Sequence, residues 1–198
     1  TETNMNTSNP YDGERRAGTV GFPLPGVELK ITDRETGKEL PQGEVGLIEV
    51  RGPNVFKGYW QMPEKTAAEL REDGFFLTGD LGRIDEDGYV SIVGRDKDLI
   101  ISGGYNIYPK EIELVLDEQP DVLESAVIGV KDADFGESVV GVLVPRPGAE
   151  IDRDAVMAAL HGSLARFKQP RRLEILDELP RNTMGKVQKN LLRERFGG

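Results

Sequence analysis

The pattern of apolar and polar residues differs between the two halves of the chain. In the first half, alternation over residues 27–31 and 45–50 predicts short β-strands. Asp87-Gly88 lies between two further apolar runs and predicts a hairpin, because this dipeptide tolerates positive φ. A single short helix is predicted over residues 63–71. The first half is therefore expected to be rich in β structure.

The second half combines helical and strand patterns. Pro109 opens a predicted helix with its apolar residues on one face. Asp152 is a predicted N-cap for a second helix, because its carboxylate can accept backbone N–H groups of the first turn. The other predicted elements are strands over residues 125–130, 139–144 and 172–176 and a helix over 188–196. These patterns predict an α+β fold with two domains, 1–96 and 97–198.

Composition excludes several classes of site. The chain has 198 residues, 37% hydrophobic and 30% charged, as in ordinary globular proteins. It has no cysteine, so disulfides and thiolate metal sites are excluded. Its single histidine, His161, cannot build a multi-histidine metal site. No apolar run is long enough to span a bilayer, and a cytoplasmic protein without a membrane partner is expected.

The charge is unevenly distributed. The net charge is −10, which argues against nucleic acid as a partner. Residues 166–195 nevertheless contain nine Lys or Arg against four Asp or Glu. A basic segment on an acidic chain favours a local anionic ligand, with phosphate as the usual candidate. The alternative is a solvated helix whose charges have no ligand.

A lysine near the end of the chain is the main candidate for phosphate chemistry. Residues 180–186 read PRNTMGK, a polar loop with a Gly-Lys pair. The loop fails the Walker pattern, because Pro180 replaces the first glycine and Val187 follows the lysine where Ser or Thr is required. Lys186 can still act as a preorganised positive charge on a phosphate or a developing oxyanion. Gly-Lys pairs are also common on surfaces that bind nothing.

Two further segments are candidates for ligand contact. Asp80 follows Thr78-Gly79 in a turn, where its carboxylate could bind sugar hydroxyls or simply accept backbone N–H groups. Gly103-Gly104 lacks Cβ atoms and allows a ligand to approach the backbone. The four charged residues 95–98 between these segments are typical of a solvated hinge or an ordinary linker.

Five ordered motifs resemble those of the adenylate-forming superfamily of acyl-CoA synthetases, adenylation domains and luciferases. Thr1-Glu2 is similar to the end of its Tyr-Gly-x-Thr-Glu motif, and Thr78 to Asp80 to its Thr-Gly-Asp motif. The other three are the segments 43–59, 94–113 and 180–186. The resemblance covers nearly the whole chain. It implies a barrel-like β subdomain followed by a small mobile α+β C-terminal domain, and a fragment that lacks the family's upstream phosphate loop.

The resemblance also implies roles for individual residues. Lys186 is the implied catalytic lysine of adenylate formation, Glu2 the implied Mg²⁺ ligand and Lys97 the implied hinge. The implied nucleotide contacts are Thr1, Asp80, Ile92 and Arg95. Contacts with coenzyme A or its pantetheine arm are expected at Gly103, Gly104, Arg166 and Lys168, and Met5 is expected at the acyl pocket. The expected ligands are ATP or AMP, Mg²⁺, coenzyme A and a small carboxylic acid.

The run over residues 1–18 and the tail most resemble malonyl-CoA synthetases, which implies malonate or methylmalonate as the acid. A dicarboxylate needs a cationic partner, and Arg15 and Arg16 are candidates. Another short or medium acid, a carrier-protein-dependent adenylation domain and a noncatalytic module are the alternatives. A lysine acetyltransferase and a deacetylase are expected to act on Lys186, because acetylation would remove its charge.

Overall fold

The computed structural model of the chain describes residues 1–197. Two compact units, Thr1–Lys97 and Asp98–Gly198, divide the chain one residue from the boundary predicted after residue 96. The fold class is confirmed as a mixture of helices and mainly antiparallel sheets. None of the helices in residues 1–197 is both long and apolar enough to cross a bilayer.

The first unit is built on an antiparallel sheet of four strands. Its strand order is β3-β4-β5-β6, and β1 and β2 form a separate pair. The hairpin predicted at Asp87-Gly88 joins β5 to β6, with Gly88 at φ +88°. The elements are β1 (Thr7–Ser8), β2 (Phe22–Pro23), β3 (Glu28–Thr32), β4 (Gly46–Arg51), α1 (Pro63–Glu69), β5 (Phe76–Ile84) and β6 (Val90–Arg95).

This sheet corrects the barrel-like description. In the described residues no ladder pairs β3 with β6, so the sheet stays open. Four strands are too few to curl into a closed barrel, since even eight leave only a side-chain-filled interior. The sheet instead packs its apolar residues into a single cluster that includes Ile31, Ile48, Val50, Phe76 and Val90.

The second unit surrounds a mixed sheet with helices. Strand β10 lies antiparallel to β9 and β7 and parallel to β11, while β8 pairs with β7. The elements are β7 (Ile100–Ser102), β8 (Tyr105–Ile107), α2 (Pro109–Asp117), β9 (Val122–Asp132), β10 (Gly136–Pro145), α3 (Arg153–Ser163), β11 (Arg172–Ile175) and α4 (Lys189–Phe196). The β7–β8 hairpin was missed by the sequence analysis.

Both faces of the central strands are buried. On one face Val127 and Leu143 pack in a cluster with residues of α2 and α3. On the other face Ile128 and Val142 pack with Leu192 of α4. This explains why β9 and β10 read as nearly continuous apolar runs, which are typical of strands covered on both sides. Strand β9 thus packs against α2 on one face of the sheet and against α4 on the other.

Candidate functional site

In the first unit, Asp80 and Arg95 lie directly opposite each other on β5 and β6. The Arg95 Nε atom is 3.0 Å from the Asp80 Oδ1 atom. The Thr78 hydroxyl accepts the Asp80 N–H at 3.1 Å and donates to the Ile48 carbonyl at 2.8 Å. Two strands of one sheet therefore fix the acid and its cationic partner. Asp80 lies within β5, where the sequence analysis expected a turn, because Thr78 to Asp80 continue the strand.

The environment of Asp80 makes its charge costly. Burial raises the pKa of the Asp80 carboxyl, and the positive charge of Arg95 opposes that shift only in part. Ile92, on the same strand as Arg95, has 47% of its surface exposed. The structure thus places three of the four predicted nucleotide contacts on β5 and β6, with an apolar side chain available to a ring.

Glu2 is held by Tyr59, the last residue of the motif over residues 43–59, to which the sequence analysis assigned no role. The Tyr59 hydroxyl lies 3.3 Å from Glu2 Oε1 and donates to Glu69 Oε2 at 2.5 Å. Burial, followed by the hydrogen bond to Glu69, raises the pKa of Tyr59, so its hydroxyl stays protonated. The pKa of Glu2 is lowered to about 2, chiefly by its own backbone N–H, and the Thr1 hydroxyl lies 3.2 Å from Oε2.

Glu2 also fits the chemistry of a nucleotide-bound Mg²⁺. Residues 1–197 contain no cluster of three or more His, Cys, Asp or Glu side chains that could hold a metal. In nucleotide sites Mg²⁺ binds one or two carboxylates together with phosphate oxygens and waters. A single ionised glutamate is compatible with that mode.

Asn54 fixes the segment that carries Met5. Its Nδ2 atom lies 2.6 Å from the Thr3 carbonyl, 3.1 Å from the Met5 carbonyl and 3.0 Å from Asn6 Oδ1. The Met5 side chain itself is 60% exposed. The sequence gives no signal for this contact, because Asn54 lies about fifty residues further along the chain.

In the second unit, Lys186 lies at the end of a tight turn. The Asn182 side chain accepts hydrogen bonds from the backbone N–H groups of Met184 and Lys186, each at 3.0 Å. The Asn182 N–H donates to the Lys186 carbonyl at 2.9 Å, and Gly185 supplies the positive φ of +76°. An asparagine side chain that binds nearby backbone in this way stabilises a turn.

The Lys186 ammonium has no carboxylate partner. Its side chain is exposed, and within residues 1–197 no Asp or Glu oxygen lies at ion-pair distance from it. The turn closes at its base through the Gln188 N–H, which donates to the Pro180 carbonyl at 2.8 Å, and Arg181 pairs with Glu124. We call residues 180–188 the lysine hairpin. It presents an uncompensated positive charge from a fixed backbone.

A groove in the second unit brings together two of the predicted coenzyme A contacts. Gly103 and Gly104 form the β7–β8 turn, with φ of +57° and +82°. Gly103 borders a groove of about 670 Å³ that Arg166 also lines. The remaining lining residues are Ser102, Tyr105, Phe135, Val139, Phe167, Gln169, Pro170 and Arg171.

Arg166 lines the groove, but Lys168 does not. The Lys168 ammonium makes two hydrogen bonds to the Glu111 carboxylate, at 2.7 and 2.8 Å. In residues 1–197 the Arg166 guanidinium has no ion-pair partner. Tyr105 and Phe167 stack with ring centroids 4.6 Å apart, which adds an aromatic wall that the sequence analysis missed. Cation and aromatic surface together suit a nucleotide-like ligand.

Lys97 is exposed and lies in the short 3₁₀ turn Asp96–Asp98. It is the last residue of the first unit. Its predicted role as a hinge stays a prediction, as do the roles of the other site residues.

Comparison with known proteins gives two family models and many relatives. The AMP-binding enzyme model matches residues 1–60, and the AMP-binding enzyme C-terminal domain model matches residues 111–186. Indoleacetate–CoA ligase of Aromatoleum aromaticum is 46% identical over 93% of this chain and 36% of its own length. Malonate–CoA ligase of Arabidopsis thaliana is 44% identical over 98% of this chain and 33% of its own length.

Solved structures agree with these relatives. The crystal structure of ATP-bound MatB from Rhodopseudomonas palustris superimposes with a TM-score of 0.91 and 64% identity, over 99% of this chain and 39% of that one. The chain thus spans little more than a third of the length of the proteins it matches. The two family models together cover more than half of it. The chain therefore belongs to the AMP-binding enzyme family, the adenylate-forming acyl-CoA synthetase superfamily that its motifs resemble, and includes the C-terminal domain of that family.

Proposed function

We propose that the full-length protein is an AMP-forming acyl-CoA synthetase that activates a carboxylic acid with ATP and transfers the acyl group to coenzyme A. The observation that carries this proposal is the exposed and unpaired Lys186 on a braced turn, in a chain of this family. Relatives named as CoA ligases support thioester formation as the second step.

In the first half-reaction a carboxylate oxygen of the acid attacks the α-phosphorus of ATP. The bond from that phosphorus to the bridging oxygen breaks, and pyrophosphate leaves with the electron pair. Negative charge grows on the α-phosphoryl oxygens, and the Lys186 ammonium stabilises it without proton transfer. Glu2 would hold Mg²⁺, which supplies further neutralisation of phosphate charge when bound.

The first unit would bind the nucleoside. Asp80 can accept hydrogen bonds from ribose hydroxyls, and Arg95 can donate to the same hydroxyls while it balances the acid. Ile92 offers an exposed apolar surface to adenine, and Thr1 a hydroxyl to phosphate. These contacts orient the α-phosphate and exclude wrong poses, which accounts for much of the rate gain in such reactions.

In the second half-reaction the thiolate of coenzyme A attacks the acyl carbon, and AMP leaves. The groove bordered by Gly103, with Gly104 next to it in the turn, would admit the pantetheine arm, because no Cβ of Gly103 narrows it. Arg166 would contact a phosphate of coenzyme A, with Lys168 in a lesser role because Glu111 already binds it. Lys97 would be the hinge at which the C-terminal domain moves between the two steps.

Malonate or methylmalonate is the acid that we propose. The similarity to the Arabidopsis malonate–CoA ligase supports it, together with the resemblance of residues 1–18 to malonyl-CoA synthetases. The indoleacetate ligase is equally similar, so a panel of acids with ATP and coenzyme A is the direct test. Arg16 already pairs with Asp85 and Asp87, both at 2.9 Å, which leaves Arg15 as the better candidate for the second carboxylate.

Substitution of Lys186 tests whether this residue acts in adenylate formation and not in thioester formation. In the full-length enzyme, Lys186→Ala should lower ATP–pyrophosphate exchange by about a hundredfold or more, because one preorganised charge at the transition state has about this effect. Thioester formation from preformed acyl-adenylate should persist. Lys131→Ala, which removes another exposed lysine of the same unit, is the matched control. Equal loss of both half-reactions in Lys186→Ala would contradict the proposal.

The same exposure makes Lys186 accessible to an acetyltransferase. Acetylation would remove the charge and should silence adenylate formation while sparing the thioester step. Chemical or enzymatic acetylation followed by both partial assays measures this. A fully acetylated enzyme with normal exchange activity would exclude it.

A further inference from the structure

A buried carboxylate binds the residue that follows the lysine hairpin. Glu113 of α2 is only 8% exposed. Its Oε1 atom accepts the backbone N–H of Val127 on β9 at 3.0 Å and the Lys189 ammonium at 2.6 Å. Lys189 is the first residue of α4. One oxygen therefore joins α2, the central sheet and the first residue of α4.

Each leg of the hairpin is tied to an acid. Arg181 on the first leg pairs with Glu124 of β9, where both side chains are partly exposed. The second leg, Lys186 to Gln188, leads directly to Lys189, which pairs with Glu113, and both of these side chains are largely shielded from water. Ion pairs between exposed groups contribute little, whereas breaking a shielded pair from one side is costly because the other charge is left buried and unpaired.

Only two residues separate Lys186 from this tether. Val187 packs against the apolar cluster of β9, β10 and α4, and Gln188 closes the base of the hairpin. Because packing and this hydrogen bond leave the two intervening residues little freedom to adjust, a shift of Lys189 should also move Lys186. The contact between Glu113 and Lys189 thus fixes the first residue of α4, three positions after Lys186.

We propose that Glu113 is a positioning residue for the catalytic lysine. It touches no substrate, and it acts by fixing Lys189 and through it the path of the lysine hairpin. This inference rests on the proposed role of Lys186 in adenylate formation. Its physical basis is that a charge displaced by about 1 Å from the transferring phosphoryl group can lose up to about a hundredfold in rate.

Glu113→Gln in the full-length enzyme is the test. The amide keeps the size of the side chain and an oxygen for the Val127 N–H, but it removes the charge that holds Lys189. We expect kcat for ATP–pyrophosphate exchange to fall by about tenfold to a hundredfold. The KM for ATP and the rate of thioester formation from preformed acyl-adenylate should stay unchanged. Lys189→Arg, which can still pair with the acid, should retain most of the exchange activity.

Two controls separate positioning from simple destabilisation. Asp117→Asn alters another α2 acid, which accepts the Ser125 hydroxyl of β9 at 2.7 Å but contacts no residue of the hairpin, and should leave exchange unchanged. In a Lys186→Ala background, Glu113→Gln should produce no further loss. If Glu113→Gln does not fold, Lys189→Gln breaks the same pair from its other side and carries the same expectations.

The outcomes distinguish this inference from the proposed function. Normal exchange in Lys186→Ala would overturn the proposed role of the lysine itself. A hundredfold loss in Lys186→Ala with normal exchange in both Glu113→Gln and Lys189→Gln would overturn the positioning role alone. Equal loss of both half-reactions in Glu113→Gln, or an additive loss in the double variant, would assign Glu113 a purely structural role.

Discussion

The strand pair that carries Asp80 and Arg95 and the hairpin that carries Lys186 present charge in opposite ways. Asp80 and Arg95 neutralise each other at 3.0 Å across an antiparallel ladder, and burial already disfavours the charge of the acid. Lys186 lies in solvent on a turn braced by Asn182, without a carboxylate partner in the described residues. The charges of Asp80 and Arg95 are therefore paired within the protein, whereas the charge of Lys186 is available to a ligand.

The difference follows from what each charge has to do. A carboxylate paired with a guanidinium can form fixed hydrogen bonds to neutral hydroxyls. Because the two charges cancel, the pair does not repel the nucleotide. A lysine that stabilises a transition state must be free of competing anions until the phosphate reaches it. Water solvates an exposed ammonium at little cost, so the open charge does not destabilise the fold.

Among the effects on ligand binding, the largest is expected when the Asp80–Arg95 pair is broken. Asp80→Asn should raise the KM for ATP by about tenfold to a hundredfold, because hydrogen bonds to a charged group are worth roughly 1.5–3 kcal/mol. The acid substrate should keep its KM. Steady-state kinetics with ATP and with the acid as varied substrates measures both values. An unchanged KM for ATP would show that the ladder does not contact the nucleotide.

The same variant should make the protein more stable at neutral pH. Burial raises the pKa of Asp80 above its ordinary 3.8, so ionisation costs stability as pH rises through the raised pKa. Asn carries no such cost. The midpoint of thermal unfolding should therefore be higher in Asp80→Asn than in the parent at pH 7, and the gap should close below pH 3.8. A parent that is more stable at pH 7 would mean that the Arg95 pair outweighs burial.

The next comparison is between Arg166, which has no ion-pair partner in the described residues, and Lys168, which is paired with Glu111. Arg166→Ala should raise the KM for coenzyme A by about tenfold, as expected for one lost charge-assisted hydrogen bond to phosphate. Lys168→Ala should raise it less, because Glu111 already binds that ammonium. The thioester-forming step with preformed acyl-adenylate measures both effects. A larger effect for Lys168 would show that the ion pair opens when the ligand binds.

Local patterns in the sequence predicted much of the fold. Asp152 caps α3 as expected, since its carboxylate accepts the N–H groups of Asp154 and Ala155. The β7–β8 hairpin was missed, because strands of three residues are too short to show alternation. The alternation of apolar and polar side chains can be recognised only over about four residues or more.

The site was predictable only in its motif residues. Partners that lie far away in sequence could not be predicted, because tertiary packing alone brings them together. Glu111 reaches Lys168 across 57 positions, and Glu113 reaches Lys189 across 76. Without these contacts the sequence could not tell an available cation from an occupied one. The sequence analysis treated Arg166 and Lys168 as equivalent, whereas in the structure only Lys168 is paired with an acid.

The smallest expected effects concern the turn that borders the groove. Gly103→Ala and Gly104→Ala should each lower the free energy of unfolding by about 1 kcal/mol, since both positions have positive φ. A Cβ on Gly103 would also lie 3.1 Å from the Phe135 ring, whereas a Cβ on Gly104 would meet no atom within 4 Å.

The two alanine variants should therefore differ in function more than in stability. Gly103→Ala should push the Phe135 ring by a few tenths of an ångström in the groove wall, and it should raise the KM for coenzyme A more than Gly104→Ala does. Chemical denaturation gives the stability of each, and the thioester assay gives the KM. If Gly104→Ala had the larger effect on KM, the ligand would approach the outer side of the turn, and the groove would not be its path.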